Sequence, residues 1–303
     1  MMQTIRHYLE LIRFSHTVFA LPFAAAAAVL AWHTPLPGGG FVAMRWTDVA
    51  GVLLCMVTAR SAAMAINRLW DRDIDAANPR TSGRHLPAGL VSRGGVEGFI
   101  AVTSVAFVLS TALFLPNWIP LAFSVPVLAW LFGYTLAKRF TAAAHVWLGV
   151  ALALSPVCTW VAIRGVAAAA VPSDYAIPLT LAAIVATWVA GFDVLYACQD
   201  AAFDREAKLH SVPAKLGVPG ALRFSAICHA VMLPIVGWLG WVGSAAGLGW
   251  VYAVSAVVVS GLVVYQHRLV RPDDLSRVGA AFFQTNAVIS VLLLVAVTID
   301  CIW

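Results

Sequence analysis

Residues 176–204 read AIPLTLAAIVATWVAGFDVLYACQDAAFD, an apolar run that ends among three aspartates. No charged residue precedes Asp193 in this stretch, and about 20 apolar residues are enough for an α-helix to cross a bilayer. The stretch therefore predicts a transmembrane helix over 176–198. Its carboxyl end carries Asp193, Asp200 and Asp204, and acids in such a place are costly unless a cation meets them.

The rest of the chain has the same apolar character. Of its 303 residues, 61% are hydrophobic and 11% are charged, and the mean hydropathy is +0.87. Soluble domains carry about 25% charged residues, so nearly all of this chain is expected to lie in a lipid bilayer. The five cysteines form no CxxC pair and are expected to act as small apolar residues.

The hydropathy pattern predicts an all-α, polytopic membrane protein with nine transmembrane helices. The predicted spans are 14–32, 48–70, 96–115, 118–137, 143–163, 176–198, 222–243, 247–266 and 279–302. The segment before them has apolar residues at helical spacing and is expected to lie along the membrane interface. A cleaved signal peptide over 1–28 is the rival interpretation of this end of the chain.

Basic residues are distributed unequally between the two sides of this topology. Sixteen of the 19 lysines and arginines fall on the N-terminal side, whereas Arg45 and Arg164 fall on the opposite side. The positive-inside rule then predicts a plasma (inner) membrane protein with a cytoplasmic N-terminus, cytoplasmic acidic segments and a C-terminus on the opposite side. The same bias explains the net charge of +5 without a nucleic-acid partner.

A second acidic segment follows the predicted span 48–70. It reads Asn67-Arg-Leu-Trp-Asp71-Arg-Asp73-Ile-Asp75. Each acidic segment precedes a basic, hydroxyl-bearing loop with Pro-Ala and Gly, and the two lie four helices apart. We therefore interpret residues 1–303 as one domain made of two four-helix halves, about 14–137 and 143–266, plus a ninth helix.

Helical residues three or four apart share a face. The spacing of the acids therefore divides each segment into residues on one helix face, here called a ridge, and residues that lie off that face. The ridges are Asn67, Asp71 and Asp75, and Asp193, Tyr196, Asp200 and Asp204. Like charges at this spacing repel, so facing ridges are expected to be stable only with bridging divalent cations. Hard oxygen ligands suit Mg²⁺, which usually shares its coordination shell with substrate phosphates. Asp73 and Glu206 lie off the ridges.

Basic residues near the ridges predict a diphosphate site. Arg72 lies inside the first acidic segment, Lys208 lies just past the second, and Lys138 and Arg139 follow Tyr134. Such cations bind phosphate oxygens, and with Mg²⁺ they stabilise the charge of a departing diphosphate. An apolar, aromatic interior would hold an isoprenoid chain and keep water from an allylic cation.

These motifs resemble those of the UbiA superfamily of intramembrane prenyltransferases. The Asn-x-x-x-Asp-x-x-x-Asp motif is matched by Asn67, Asp71 and Asp75, the second Asp-x-x-x-Asp motif by Asp200 and Asp204, and the Tyr-x-x-x-Lys element by Tyr134 and Lys138. The resemblance implies nine helices around a central cavity with cytoplasmic cap loops. It also implies two Mg²⁺ ions on the Asp motifs and transfer of a polyprenyl chain from its diphosphate to an aromatic acceptor.

Within the superfamily, residues 67–81 and 209–214 are most similar to 4-hydroxybenzoate polyprenyltransferase-like enzymes, especially the branch associated with menaquinone made through futalosine. The acceptor implied is 4-hydroxybenzoate or dihydroxynaphthoate, in ubiquinone or menaquinone biosynthesis. Many relatives have Asp after the motif's Asn, where this chain has Arg68. A haem- or chlorophyll-type member of the superfamily is the alternative.

Several residues have two interpretations at this stage. Asp193 is either the partner of a basic residue or the acceptor of the ring proton. Tyr196 either binds substrate or packs in the core, and Lys138 and Arg139 either bind diphosphate or only anchor the topology. The core histidines are expected to be His16, His145 and His229. A transporter is the rival class of protein, but it predicts acid pairs at the bilayer midplane rather than at span ends.

Overall fold

The computed structural model of the protein describes residues 2–13 and 19–303, and their regular structure is helical. The α-helices are α1 Met2–Leu11, α2 Leu21–His33, α3 Trp46–Trp70, α4 Arg72–Ala77, α5 Arg93–Thr111, α6 Ile119–Ala137, α7 Ala144–Ala169, α8 Ala176–Ala197, α9 Ala201–Glu206, α10 Val212–Val242, α11 Trp250–Leu269 and α12 Thr285–Ile302. A π-helical turn, Ala280–Gln284, leads into α12. The predicted all-α fold is confirmed.

Eight helices in the described part of the chain are long and apolar enough to cross a membrane, and the shorter α2 is also apolar. Together they correspond to the nine predicted spans. The first predicted span begins at residue 14, but residues 14–18, which include His16, lie outside the described residues. The division into two four-helix halves stays a prediction.

The start of α10 differs most from the sequence prediction, which placed it at residue 222. The helix begins at Val212, after Ser211 caps it by accepting a hydrogen bond from the Ala214 N–H at 3.2 Å. Its first turns contain Lys215 and Gly217, which lower the local hydropathy. Gly217 has φ +69°, a left-handed conformation that favours glycine, so the helix bends where the apolar pattern was weakest.

The two acidic segments share one local geometry. Helix α3 ends at Trp70, and Asp71, with φ −90° and ψ 5°, separates it from the six-residue helix α4. Asp200, with φ −102° and ψ 5°, precedes the six-residue helix α9. Each ridge is therefore interrupted at its first motif aspartate rather than continuing along one straight helix.

Helix α8 runs through the middle of the protein and is the most buried of the eight candidate spans. Its Ile184, Val185 and Trp188 belong to the largest hydrophobic cluster, which joins α2, α7, α8, α10, α11 and α12. Because α8 is packed on several sides, the acidic residues at its carboxyl end are held in a fixed position.

A buried ion pair fixes the other end of the helical bundle. The Arg164 guanidinium, near the end of α7, is fully buried and bonds both carboxylate oxygens of Asp174. Trp160 Nε1 also donates to Asp174, at 2.9 Å. The guanidinium further donates to three backbone carbonyls at the end of α2, those of Ala31, Thr34 and Pro35. Arg164 thus joins α7 to α2 at the end remote from the acidic segments.

Candidate active site

A cavity of about 870 Å³ lies between the helices, and its lining is mostly apolar. The acidic segments form one end of it. The predicted site residues that line the cavity are Asn67, Asp71, Asp75, Tyr134, Lys138, Asp193, Tyr196, Asp200 and Asp204. The fold therefore brings both acidic segments and the Tyr134–Lys138 element to one chamber.

Asp71, at the end of α3, is buried and lies among three polar side chains. Its Oδ2 accepts a hydrogen bond from Asn67 Nδ2 at 3.0 Å and is 2.6 Å from Lys138 Nζ. Arg139 Nη2 lies 3.6 Å from Oδ1 and donates to the Trp70 carbonyl at 2.5 Å. Lys138 and Arg139 are thus held at the carboxylate of the first motif.

Asp75 is the second buried carboxylate of this segment. Arg84 Nη1 donates to its Oδ1 at 2.6 Å, and Arg68 Nη1 lies 3.9 Å from its Oδ2. Thr81 Oγ1 donates to the backbone carbonyl of Asp75 at 3.0 Å. The loop that follows α4 therefore folds back over the acidic segment that precedes it.

Asp200 is bound by the same loop. Arg80 forms a two-point ion pair with the carboxylate, with Nε 2.7 Å from Oδ1, and Asn78 Nδ2 donates to Oδ1 at 2.9 Å. Arg80 Nη1 also donates to the Tyr196 hydroxyl at 2.9 Å. Burial opposes the charge of Arg80, but these contacts with Asp200 and Tyr196 raise its pKa above the ordinary value. Arg80 therefore links the two acidic segments.

Asp204 lies on the cavity wall in the short helix α9, which precedes the loop that leads to α10. Its backbone carbonyl accepts from the Leu209 N–H at 2.8 Å, and the His210 N–H donates to the Lys138 carbonyl at 2.7 Å. These backbone bonds place the second acidic segment beside Lys138.

Asp193 lies deeper in the cavity, and it contacts His145 on α7. His145 Nδ1 is 2.7 Å from Asp193 Oδ2, and His145 Nε2 accepts from the Val212 N–H at 3.4 Å. Since Nε2 is the acceptor, Nδ1 carries the proton and donates to the carboxylate. The expected core histidine is satisfied, and its partner is the cavity carboxylate whose two interpretations the sequence left open.

The carboxylates suit a hard divalent cation. Asp71 Oδ1 and Asp75 Oδ2 are buried oxygens without a hydrogen-bond partner among the described residues, which leaves a lone pair on each for a metal ion. Within residues 2–13 and 19–303, however, no three acidic, histidine or cysteine side chains are already gathered for one ion. In this structure carboxylates of the two ridges are neutralised by lysine and arginine side chains, whereas the sequence predicted neutralisation by divalent metal ions.

Some predicted diphosphate ligands lie elsewhere. Arg72 and Lys208 are exposed and are not part of the cavity lining, and Arg139 is exposed although it approaches Asp71. Arg80 and Arg84, two of the sixteen basic residues on the N-terminal side of the predicted topology, occupy the acidic end instead. The basic residues of the loop after the first motif were the sequence signal for these contacts. The conformation of that loop determines which of its arginines reach the carboxylates.

Comparison with known proteins shows that most of the chain matches one family. The model of the UbiA prenyltransferase family matches residues 19–288. A 4-hydroxybenzoate octaprenyltransferase of Cupriavidus metallidurans is 33% identical over 250 residues, which are 80% of this chain and 76% of that protein.

Solved structures give the same result. The apo structure of a UbiA homolog from Aeropyrum pernix K1 superimposes with a TM-score of 0.81 at 31% identity, over 94% of this chain and 98% of that one. A UbiA homolog from Archaeoglobus fulgidus bound to GPP and Mg²⁺ has a TM-score of 0.68 at 15% identity, over 98% of this chain and 100% of that one. The second likeness concerns the fold alone.

Proposed function

Because the chain belongs to the UbiA prenyltransferase family and is a multi-pass membrane prenyltransferase, we propose that it transfers a polyprenyl chain from polyprenyl diphosphate to an aromatic acid in quinone biosynthesis. The observation that carries this proposal is the acidic end of a largely apolar cavity, where Asp71, Asp75, Asp200 and Asp204 meet Arg80, Arg84 and Lys138. The cavity volume is within the range of about 300–1,000 Å³ usual for ligand sites.

The acidic end is proposed to bind the diphosphate. Asn67 and the four motif carboxylates would hold Mg²⁺, for which two ions are proposed. When bound, Mg²⁺ neutralises diphosphate oxygens and favours departure of the leaving group. In this proposal, Arg80, Arg84 and Lys138 exchange their carboxylate partners for diphosphate oxygens, and Tyr134 and Tyr196 line the passage to the apolar chamber.

A group of arginines supports an acceptor that carries a carboxylate. Arg13, Arg60 and Arg68 line the cavity, and Arg60 Nη2 donates to the Arg13 carbonyl at 3.1 Å. Arg68 is buried, Arg60 is partly buried and Arg13 is exposed. A guanidinium that is shielded from water favours an anionic partner. 4-Hydroxybenzoate and dihydroxynaphthoate both provide one. The first also agrees with the names of the relatives, whereas resemblance to the futalosine branch supports the second.

Asp193 is proposed to take the ring proton. Its carboxylate faces the cavity, and His145 holds one of its oxygens through Nδ1–H. The bond from the acceptor carbon to the prenyl carbon forms as the prenyl C–O bond breaks, with the electron pair leaving on diphosphate. The ring then restores its aromaticity by passing its proton to Asp193.

We also propose that the protein lies in the plasma (inner) membrane with the N-terminus and the acidic end of the cavity on the cytoplasmic side. The charge distribution along the sequence supports this orientation. Labelling of single exposed cysteines, introduced at Arg72 and at Trp303, with an impermeant thiol reagent in intact cells tests it. Labelling at Arg72 without labelling at Trp303 would overturn the proposed orientation.

The proposed activity is tested with purified protein, Mg²⁺, polyprenyl diphosphates of different lengths and a panel of acceptors. The panel contains 4-hydroxybenzoate, dihydroxynaphthoate, their decarboxylated analogues and haem. Prenylation of an aromatic acid, with little product from the decarboxylated analogues, is expected. Diphosphate release with none of the acceptors, from folded protein, contradicts the proposal.

A further inference from the structure

We propose that Phe282, carried on the π-helical turn before α12, is the ring that faces the allylic cation, and that Gln266 and Asn286 are the positioning residues for it. The inference rests on the proposed function, since it assigns a role in the prenyl transfer itself. It concerns a part of the chain that lies far in sequence from all the acidic motifs.

Phe282 is the centre of an aromatic cluster in the cavity wall. Its ring centroid lies 4.4 Å from that of Tyr196, 5.4 Å from Phe192 and 5.5 Å from Phe19. All four rings belong to the cavity lining, but Phe19 and Phe192 are almost fully buried. Phe282 and Tyr196 are only partly buried, so they present ring surface to a ligand.

The position of Phe282 relative to the acidic end follows from Tyr196. Arg80 donates to the Tyr196 hydroxyl, and its guanidinium lies 5.1 Å from the centroid of the tyrosine ring. The same guanidinium binds Asp200. Phe282 is thus one ring away from the proposed diphosphate site. This is where the positive charge develops on the prenyl carbon as the C–O bond breaks and its electron pair leaves with diphosphate.

The π-helical turn carries Phe282 and alters the facing of the helix around it. Each added residue in a helix turns the following side chains by about 100°, because there are 3.6 residues per turn. The widened turn over Ala280–Gln284 therefore changes the facing of α12 relative to the residues before the turn, and Phe282 lies at its centre. Such turns are frequent at functional sites.

Two buried side-chain amides hold the turn in this conformation. Gln266 Nε2, on α11, donates to the Ala281 carbonyl at 2.8 Å, and Asn286 Nδ2 donates to the Phe282 carbonyl at 2.8 Å. Asn286 Oδ1 in turn accepts from Trp188 Nε1 on α8 at 2.9 Å. Both amides are fully buried, and buried polar groups within a membrane bundle are kept where they have a specific task. The network ties the turn to the same helix, α8, that carries Tyr196.

An aromatic ring next to a cation stabilises the cation through the negative charge on the face of its π system. Fluorine atoms on the ring lower this negative charge with little change in the shape of the side chain. The test therefore places phenylalanines with one, two and three ring fluorines at position 282. The single-turnover rate of diphosphate release is measured with excess acceptor. We expect a stepwise fall that reaches about tenfold with three fluorines, which corresponds to about 1.4 kcal/mol of barrier.

Phe283 is the matched control. It is the next residue on the same turn and contacts Phe19 at 5.6 Å, but it is not part of the cavity lining. Fluorination at 283 is expected to leave the rate within about twofold. A flat series at 282, or equal falls at 282 and 283, overturns the assignment of Phe282.

The positioning role is tested by repeating the series at 282 in a Gln266→Met protein. Methionine has similar length but donates no hydrogen bond, so the fluorine dependence is expected to weaken to less than about threefold. An unchanged dependence overturns the role of Gln266. Wild-type protein that releases no diphosphate with any acceptor would refute the proposed function and this inference together, whereas active wild-type protein with a flat series refutes this inference alone.

Discussion

Replacement of Arg80 separates the site that the structure shows from the one that the sequence alone predicts. Arg80→Gln removes the two-point ion pair with Asp200 and the hydrogen bond to the Tyr196 hydroxyl. The sequence pattern did not indicate Arg80 and named Arg72 among the diphosphate ligands, although Arg72 is exposed and outside the cavity lining. Two single variants, Arg80→Gln and Arg72→Gln, each remove one positive charge from the same short segment, so their comparison isolates the effect of position.

The magnitude follows from the contacts. A hydrogen bond to a charged group contributes about 1.5–3 kcal/mol, and Arg80 directs two guanidinium nitrogens at the proposed diphosphate site. Loss of two such bonds in the transition state is about 3–6 kcal/mol, or a fall in kcat/KM of about 10²–10⁴. Arg80→Lys keeps the charge but not the fork, so a fall of about tenfold is expected.

The assay measures diphosphate release and prenylated product at several concentrations of polyprenyl diphosphate, with folded protein verified by size-exclusion chromatography. Arg72→Gln and Lys208→Gln are expected to stay within about twofold of wild type. Similar losses for Arg72→Gln and Arg80→Gln, or an active Arg80→Gln enzyme, would refute the reasoning.

The remaining predictions concern stability, proton transfer and metal. Arg164→Leu leaves the buried Asp174 carboxylate without its cation, so the free energy of unfolding is expected to fall by about 3–5 kcal/mol. The thermal midpoint in detergent measures this, and a loss no larger than that of Arg93→Gln, whose ion pair with Glu97 is exposed on both sides, would contradict it. Asp193→Asn removes the proposed proton acceptor, so the ratio of polyprenol, formed by water capture of the prenyl cation, to prenylated acid is expected to exceed one. His145→Phe is expected to lower transfer to the ring by about tenfold. A wild-type ratio of polyprenol to prenylated acid in both variants would exclude this role. Chelation with EDTA is expected to lower diphosphate release at least about 100-fold and added Mg²⁺ to restore it; a rate that survives chelation would remove the metal from the proposal.

The positions of the acids were predictable because hydropathy and charge act locally. An apolar run of fixed length determines where a span ends, and the acids at those ends could be read directly from residues 67–75 and 193–204. Lys138 followed from its place at the end of another span, and Tyr134 from the resemblance of the Tyr-x-x-x-Lys element to that of the family. The structure places these residues around one cavity.

The partners of the acids were not predictable because they depend on contacts between distant parts of the chain. Arg80 meets Asp200 only because the loop after α4 folds over the site, 120 positions away in sequence. The contact between His145 and Asp193 crosses 48 positions and requires α7 to pack on α8. The π-helical turn also left no hydropathy signal, since four of its five residues are apolar and it continues into an apolar helix.

The resting ion pairs also bear on how a newly made chain is completed in the membrane. Three side-chain cations already balance three of the motif carboxylates, in the pairs Lys138–Asp71, Arg84–Asp75 and Arg80–Asp200. The polar end of the bundle can therefore assemble during biogenesis from the chain alone, without waiting for a scarce ion. A metal ion that arrives without diphosphate has to compete with a lysine or an arginine for each of these carboxylates. Binding of metal without substrate is therefore disfavoured, and metal and diphosphate favour each other's binding.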